Sequence, residues 1–323
     1  MRSTRTGHRW AAMVVTAILT ILAAAIAAPA QTLFSTLHSF NYLVDGWQPA
    51  AGLIQGIDGN LYGTVQYGGI TQGGSIFKTT PAGLLTTIYT FCLQTNCPDG
   101  SSPQGGLVQV VDGTFYGTTY SGGANNYGTV FKITPAGKLT TLHSMCAQSD
   151  CIDGYSPIGS LVQGGDGNLY GVTLGGGTYS GGTIFKITPT GTLTTLYSFC
   201  AQTNCADGSG PTAGLVEASD GNFYGTTFWG GTYSDGIVFK ISPTGRLTTL
   251  HSFDSNDGSN PNAALLQATD GNFYGTTYGY GTNGGGTVFK ITPGGVLTTL
   301  HNFCSQTGCT DGGSPLAGPD RGD

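Results

Sequence analysis

The sequence predicts an all-β fold, a β-propeller of four-stranded antiparallel blades, five in number, and three observations lead there. A phrase of about 54 residues is copied five times. Each copy divides into four short runs of strand-forming residues separated by turn signals. The composition opposes helix, because 56 of the 323 residues are Gly, 9% are charged and the one Glu is Glu217. Gly in a helix interior costs roughly 1 kcal/mol relative to Ala. The 38% apolar and 11% aromatic content is enough for a packed core and argues against disorder. Eleven basic residues against seventeen acidic ones leave a net charge of −6. With no basic surplus to neutralise phosphates, no nucleic-acid partner is expected.

The first 30 residues read as a secretory signal. Arg2, Arg5 and Arg9 precede an apolar run from Ala11 to Ala27, followed by Ala28-Pro29-Ala30. Cleavage is expected after Ala30, since an apolar run of this length is short for a membrane span. No further span is expected after cleavage, and no C-terminal membrane anchor is visible. Removal of residues 1–30 takes three Arg and no acid, leaving an exported chain of charge −9.

The repeat is marked by three series. Asp-Gly turns begin at Asp58, Asp112, Asp166, Asp220 and Asp270, and the phrase FKxTP or FKISP places Lys78, Lys132, Lys186, Lys240 and Lys290 in step with them. Pro49, Pro103, Pro157, Pro211, Pro261 and Pro315 form the third. Five complete units follow, at about residues 49–91, 103–145, 157–199, 211–253 and 261–303 of a single domain spanning 31–323. In the second unit the first strand is expected at Gly106–Gln109, closed by the hairpin signal Asp112-Gly113. Phe115–Thr119 is the second strand and leads into a Gly-rich loop. Thr129–Thr134 is the third, stopped by Pro135-Ala136-Gly137, where Pro presets φ and Gly permits a positive one. Leu139–Met145 is the fourth and alternates as a strand with two distinct faces should. Val, Ile, Thr, Tyr and Phe supply the β preference throughout.

A four-stranded sheet with two apolar faces needs neighbours on both, and stacking blades around an axis supplies them. Residues 33–40 copy a fourth strand alone and could pair into another blade. Residues 311–323 copy the approach to a first strand, with Pro319 where the repeats have Leu. An incomplete ring of six positions and an open repeat stack are the alternatives.

The unit "LVQ…DGNLYGTT…GGTVFKITPxGxLTTLHSF" resembles the bacterial choice-of-anchor tandem repeats called GloVer repeats. The likeness covers residues 33 to about 316 and recurs five times. It implies export and propeller-like packing, often with a C-terminal sorting anchor, from which this sequence departs by ending at Asp323 without one. The family offers no catalytic residues to carry over. A weaker likeness, through DGNLYG, is to sensor-type propellers.

All eight Cys form four pairs separated by four residues: Cys92/Cys97, Cys146/Cys151, Cys200/Cys205 and Cys304/Cys309. Each pair sits between a fourth strand and the next first strand, and the two shorter linkers lack both Cys. With an export signal the leading reading is a local disulfide, worth roughly 2 kcal/mol for so small a loop. Metal is the runner-up; zinc needs four ligands, and these loops hold no His. No cofactor is expected.

The ionisable residues align with the repeat. His38, His143, His251 and His301 share one position with Tyr89 and Tyr197, which reads as a flat ring in a strand rather than a catalytic set. The turn Asp residues bond their own backbone, and the repeat Lys residues are a structural position, with pairing to a neighbouring blade a possible role. The spacing of a calcium loop, a nucleophile elbow and a phosphate loop are all missing. Glu217 stands where other units have Gln55, Gln109, Gln163 and Gln267, and no second off-pattern acid accompanies it as glycoside hydrolysis requires. Arg321-Gly322-Asp323 reads as coincidence.

In a propeller the second-to-third loops and the interblade linkers emerge on one face. That face gathers Tyr67, Tyr120, Tyr127, Tyr179, Phe228, Trp229, Tyr233, Tyr278 and Tyr280. Such rings suit glycans or protein surfaces, or they merely finish the blade tops. The sequence therefore points to a secreted, non-catalytic binding or scaffold propeller at the cell exterior. An exported carbohydrate-active enzyme, with Glu217 and channel-lining Gln residues near its site, and a purely structural surface module are the alternatives.

Overall fold

A computed structural model of the chain describes residues 36–41 and 43–319. The expected signal segment and the start of the lone N-terminal strand lie outside these residues. From His38 onward the chain forms five four-stranded antiparallel sheets, each in sequential strand order. We number them blades 1 to 5, at residues 54–90, 108–144, 155–198, 216–252 and 266–302. In blade 2 the strands are Val108–Gln109, Phe115–Thr119, Thr129–Ile133 and Leu139–Ser144. The first strand is shorter than expected everywhere except blade 3, where Tyr155–Gln163 pairs as far as Gly175.

One register serves all blades. The Tyr of the second strand lies opposite the repeat Lys, as in Tyr116↔Lys132, and the following Gly lies opposite Phe, as in Gly117↔Phe131. That Gly is required by space: a Cβ on Gly117 would meet the Phe131 ring at 2.7 Å. A bulge between Val130 and Phe131 recurs at the same place in the third–fourth pair of every blade.

The core lies between blades. Tyr62, Ile76 and Phe91 of blade 1 pack with Leu107, Phe115, Phe131 and Ile133 of blade 2, and three further clusters repeat this match down to blade 5. Tyr62, Tyr170 and Tyr224 lie against Phe115, Phe223 and Phe273 with centroids 4.0–4.3 Å apart. Phe91, Phe199 and Phe253 meet Phe131, Phe239 and Phe289 edge-on at 5.2–5.3 Å. Segments before the first strands surround one cavity of about 490 Å³, lined by Ala51, Gly105, Gly159, Gly214, Ala263 and Ala317 among others. This is the axis of a propeller with five complete blades.

The axis has a sixth position, where Leu316–Gly318 stand as the approach to a first strand. The expected lone strand at residues 33–40 differs in its described part: residues 36–40 join no sheet among the described residues. His38 and Phe40 nevertheless take their repeat places, Phe40 meeting Phe77 edge-on at 5.2 Å. No helix among the described residues is long and apolar enough to cross a membrane.

Because each core belongs to two blades, Phe131→Ala is expected to lower stability by about 3–5 kcal/mol and to loosen blades 1 and 2 together. Urea denaturation with hydrogen exchange checks this; loss of protection in blade 2 alone would contradict it.

Candidate functional site

The linkers and the second-to-third loops are bonded into one collar. In blade 2 the loop amide of Gly123 donates to Cys97 O at 2.8 Å, and Ser101 and Ser121 exchange backbone hydrogen bonds. Gly177 to Cys151 O and Gly231 to Cys205 O repeat the first contact at 2.9 Å. On its other side each loop receives the next linker, as Ser156 N does at Tyr127 O and Gly210 N at Gly181 O, both 2.8 Å. Cys92–Cys97, Cys146–Cys151, Cys200–Cys205 and Cys304–Cys309 are each joined within one linker, with Cα atoms 4.0–4.1 Å apart. Among the described residues, no three His, Cys, Asp or Glu side chains gather as a metal would need.

A second Asp-Gly series, which the sequence reading passed over, organises this collar. The His or Tyr of each fourth strand, and His38 at the same repeat position, meets a linker Asp: His38–Asp45 at 2.6 Å, Tyr89–Asp99 at 2.8 Å, His143–Asp153 at 2.9 Å, Tyr197–Asp207 at 2.7 Å, His251–Asp257 at 2.7 Å and His301–Asp311 at 3.4 Å. The same carboxylates accept linker amides, Asp153 from Ala147 at 3.0 Å and Gln148 at 3.3 Å. Asp153 and Asp207 are fully buried. Burial alone would raise the Asp153 carboxyl, but the His143 hydrogen bond and the amides outweigh it and hold the group below its usual range. The Gly that follows, such as Gly154 at φ +88°, passes the Thr173 side chain too closely for any Cβ. These rings are linker keystones, which is why His and Tyr serve alike.

The other polar series are equally occupied. Asp58, Asp166, Asp220 and Asp270 accept from the second-strand Tyr four residues on, at 2.8–3.0 Å, besides the turn amide. Burial and the Asp58 bond push the Tyr62 phenol up to about 12. Lys132 reaches Pro189 O of the next blade at 3.4 Å. Glu217 takes the accepting half of the Gln position: its Oε1 accepts from Gly165 N at 2.8 Å, as Gln109 does from Ile57 N at 2.9 Å and Gln267 from Ser219 N at 3.0 Å, but it cannot make the bond that Gln109 Nε2 donates to Gly113 O at 3.0 Å and Gln267 Nε2 to Gly271 O at 3.3 Å. It therefore ties blade 4 to the turn of blade 3. Neither Glu217 nor Gln55, Gln109, Gln163 or Gln267 lines the axial cavity, so the expected grouping of Glu217 with channel-lining Gln residues is corrected. The first strand carries these side chains toward the turns, away from the approach segments.

The loop aromatics divide into two groups. Tyr67, Tyr120 and Phe228 are half-buried; Tyr67 packs on Trp47 at 5.9 Å and Phe228 on Trp229 at 4.8 Å. Tyr179, Trp229, Tyr233, Tyr278 and Tyr280 are exposed, Trp229 at 49% and Tyr280 at 55%. Trp47, also exposed, was missed although it stands where Ser101, Ser209 and Ser259 stand in other units. Asn260 ties two of the loops, donating from Nδ2 to Phe228 O at 2.9 Å and accepting from Tyr278 N at 3.2 Å. Blades 4 and 5 thus hold Trp229 and Tyr278 in one bonded frame.

Two of these rings occupy positions made for less. The Trp229 ring lies over Gly210, where a Cβ would come within 2.4 Å, and the neighbouring linkers carry Ser156 and Asn260 there. Tyr280, at φ +58°, stands where other blades have Gly68, Gly122, Gly176 and Gly230. A left-handed conformation costs a non-Gly residue about 1–2 kcal/mol; the collar accepts it elsewhere, at Asn126, Ser180, Ser234 and the paired Cys residues, but at this loop position the other blades avoid it with Gly.

Asp153 contributes stability at neutral pH that is lost as pH falls through its lowered folded-state value, that is, below about 4. Asp153→Asn is expected to cost about 1–3 kcal/mol at pH 7, with the gap to the parent protein closing under acid. An equal gap at pH 7 and pH 3 in urea titrations would remove the carboxylate's charge from the account. Glu217→Gln is expected to change stability by no more than about 0.5 kcal/mol.

The Gloeobacter/Verrucomicrobia repeat model matches residues 26–216 and 197–321. Among solved structures, a virginiamycin B lyase from Staphylococcus aureus is similar with a TM-score of 0.53 at 17% identity, over 77% of this chain and 69% of that one. A gluconolactonase from Xanthomonas campestris gives a TM-score of 0.50 at 11% identity, over 80% and 77%. Both likenesses are of fold. No curated protein matches the chain. With its repeat phrase spread over five blades and the family's pattern running through nearly all of them, the chain belongs to the Gloeobacter/Verrucomicrobia repeat family.

Proposed function

We propose that this is a secreted, non-catalytic propeller that binds a glycan or a cell-surface protein at the bacterial exterior through the aromatic rim of blades 4 and 5. The observation that carries this reading is Tyr280, an exposed ring held in a left-handed conformation where other blades use Gly. A ring kept at a cost in backbone energy, on a loop that Gly would close without strain, is explained by what the ring touches outside the chain. Trp229, Tyr233 and Tyr278 are exposed on the same bonded loops, and rigid aromatics provide large contact area with little entropy to lose. The apolar signal at residues 11–27 and the stapled linkers support an oxidising exterior. The non-catalytic reading is supported by Glu217 and the His–Asp pairs, each of which has a structural task.

The fold is also used by a virginiamycin B lyase and a gluconolactonase, so lactone-type and glycoside substrates belong in the same assay. On a glycan array followed by calorimetry, Trp229→Ala is expected to weaken binding by about 2 kcal/mol, roughly thirtyfold. Tyr280→Gly is expected to weaken binding while leaving stability unchanged or up to about 1 kcal/mol higher, as relieved strain offsets added chain entropy. Turnover that Glu217→Gln abolishes would instead establish an enzyme. Binding untouched by either aromatic change would move the site off this rim.

A further inference from the structure

The charges of this chain are sorted between the two ends of its strands. Antiparallel order puts the second-to-third loops and the linkers at one end, and the Asp-Gly and Pro-x-Gly turns at the other. Every Lys and Arg among the described residues belongs to the turn end. The five repeat Lys lie one pair from that end of the third strand, as Lys132 does opposite Tyr116. Lys138 and Arg246 follow the Gly of two Pro-x-Gly turns. The collar end has nine Asp and neither Lys nor Arg among the described residues. Six of the nine are the keystones that hold His or Tyr. The others are Asp150, Asp235 and Asp254.

Two of these three belong to the rim of blades 4 and 5. Asp235 lies on the loop that carries Trp229 and Tyr233, where other blades have Gly73, Tyr127, Gly181 and Gly285. The collar needs only the carbonyl at this position. Asp235 O accepts from Asn260 N at 2.7 Å, as Gly181 O does from Gly210 N at 2.8 Å and Gly285 O from Ser314 N at 2.7 Å. The carboxylate is additional, and Ser255 Oγ donates to its Oδ2 at 3.0 Å. Ser255 O in turn accepts from Gly281 N, the amide next to Tyr280, at 3.0 Å. Asn260 O accepts from Tyr278 N at 3.2 Å. Asp235 is thereby fixed between the ring-bearing loops of the two blades, and Asp254 precedes Ser255 in the chain.

We propose, resting on the reading of this rim as the binding face, that it docks a protein surface presenting Lys or Arg side chains. A cationic head group meets Asp235 and Asp254, while its aliphatic stem lies along the exposed rings. No Lys or Arg of the chain competes for these carboxylates at the collar end among the described residues, and His251 is engaged by Asp257 at 2.7 Å. The charge of the whole collar end attracts cations from a distance and repels acidic glycans. A single small ammonium ligand calls for a cage of rings closed around it. Here Trp229, Tyr233, Tyr278 and Tyr280 are 41–60% exposed and spread over two loops, which suits a broad partner with several side chains.

The test titrates the full chain by calorimetry with a short peptide of alternating Lys and Gly, and with Glu–Gly and Ser–Gly peptides of equal length. Only the Lys peptide is expected to bind, and less tightly as salt rises. Asp235→Asn, whose amide oxygen can still accept from Ser255, is expected to weaken binding about threefold to fivefold. Trp229→Ala is expected to weaken it too. Asp150→Asn is the control, an exposed Asp on the linker into blade 3 at a position that Asn96 and Asn204 fill in other linkers. It is expected to leave binding within about twofold. Circular dichroism and Tm establish that the variants are folded. No binding of the Lys peptide, binding unchanged by Asp235→Asn, or an equal loss with Asp150→Asn overturns the proposal. So does a neutral glycan whose binding is lost on Trp229→Ala but not on Asp235→Asn, in a protein that ignores the Lys peptide; that result would leave the rim as the binding face.

Discussion

Everything in this molecule depends on one contact, the packing of a Tyr, a branched aliphatic and a Phe from one sheet against a Leu, two rings and an Ile from the next. A sheet with a two-residue first strand and Gly at the centre of its second holds little core of its own. Burying one such side chain is worth about 1.5–3 kcal/mol, and almost all of that burial is shared between neighbours. Stability is then carried by nearest-neighbour interfaces, as in other repeat architectures. The same constraint explains the fixed register. Gly opposite Phe lets the ring turn across the strand and reach the preceding blade, so a side chain there would break two units at once.

Given that packing, the polar residues have to solve a connection problem. The chain leaves each fourth strand at the rim and must return to the axis, crossing a surface where its amides have no sheet to pair with. The linker Asp answers this by accepting amides within its own loop and anchoring them to a His or Tyr on the strand just left. A fully buried carboxylate such as Asp153 is stable only with several donors around it. The local disulfides brace the same loops, and Asp45 and Asp257 close the two linkers that lack them with the same carboxylate contact. Residues that resemble catalytic machinery by type are thus accounted for by backbone hydrogen bonding.

The repeat period, the turn chemistry, the strands, the Cys pairs and the single face for loops and linkers were legible because each is written in local spacing. The Asp keystones were not, although their spacing is as regular, because their meaning lies in a partner six to ten residues back across a loop. Glu217 drew notice as a compositional exception, yet its task is that of Gln109: an oxygen at the same point accepts the same kind of amide whether it belongs to a carboxylate or an amide group. The end fragment at residues 33–40 was read as a strand from its likeness to other units. A strand is a relation between two segments, and no segment pairs with this one among the described residues. The strain at Tyr280 and the fit of Trp229 over Gly210 needed φ values and interatomic distances that no pattern supplies.

These last two residues separate what the fold requires from what it merely permits. A repeat copied five times settles each position on whatever the interface demands, and departures that cost nothing carry little meaning. Tyr280 is a departure with a cost, since Gly at this position closes the loop in the other blades without strain. Trp229 departs in concert with a second position, its ring lying on the bare backbone of Gly210. Both fall on adjoining blades, both are exposed, and Asn260 bonds their loops together. Packing within the chain does not call for either ring, because other blades close the same collar without them. What sets the rim of blades 4 and 5 apart from the rest of the collar is therefore this pair of exposed rings, which the repeat itself does not require.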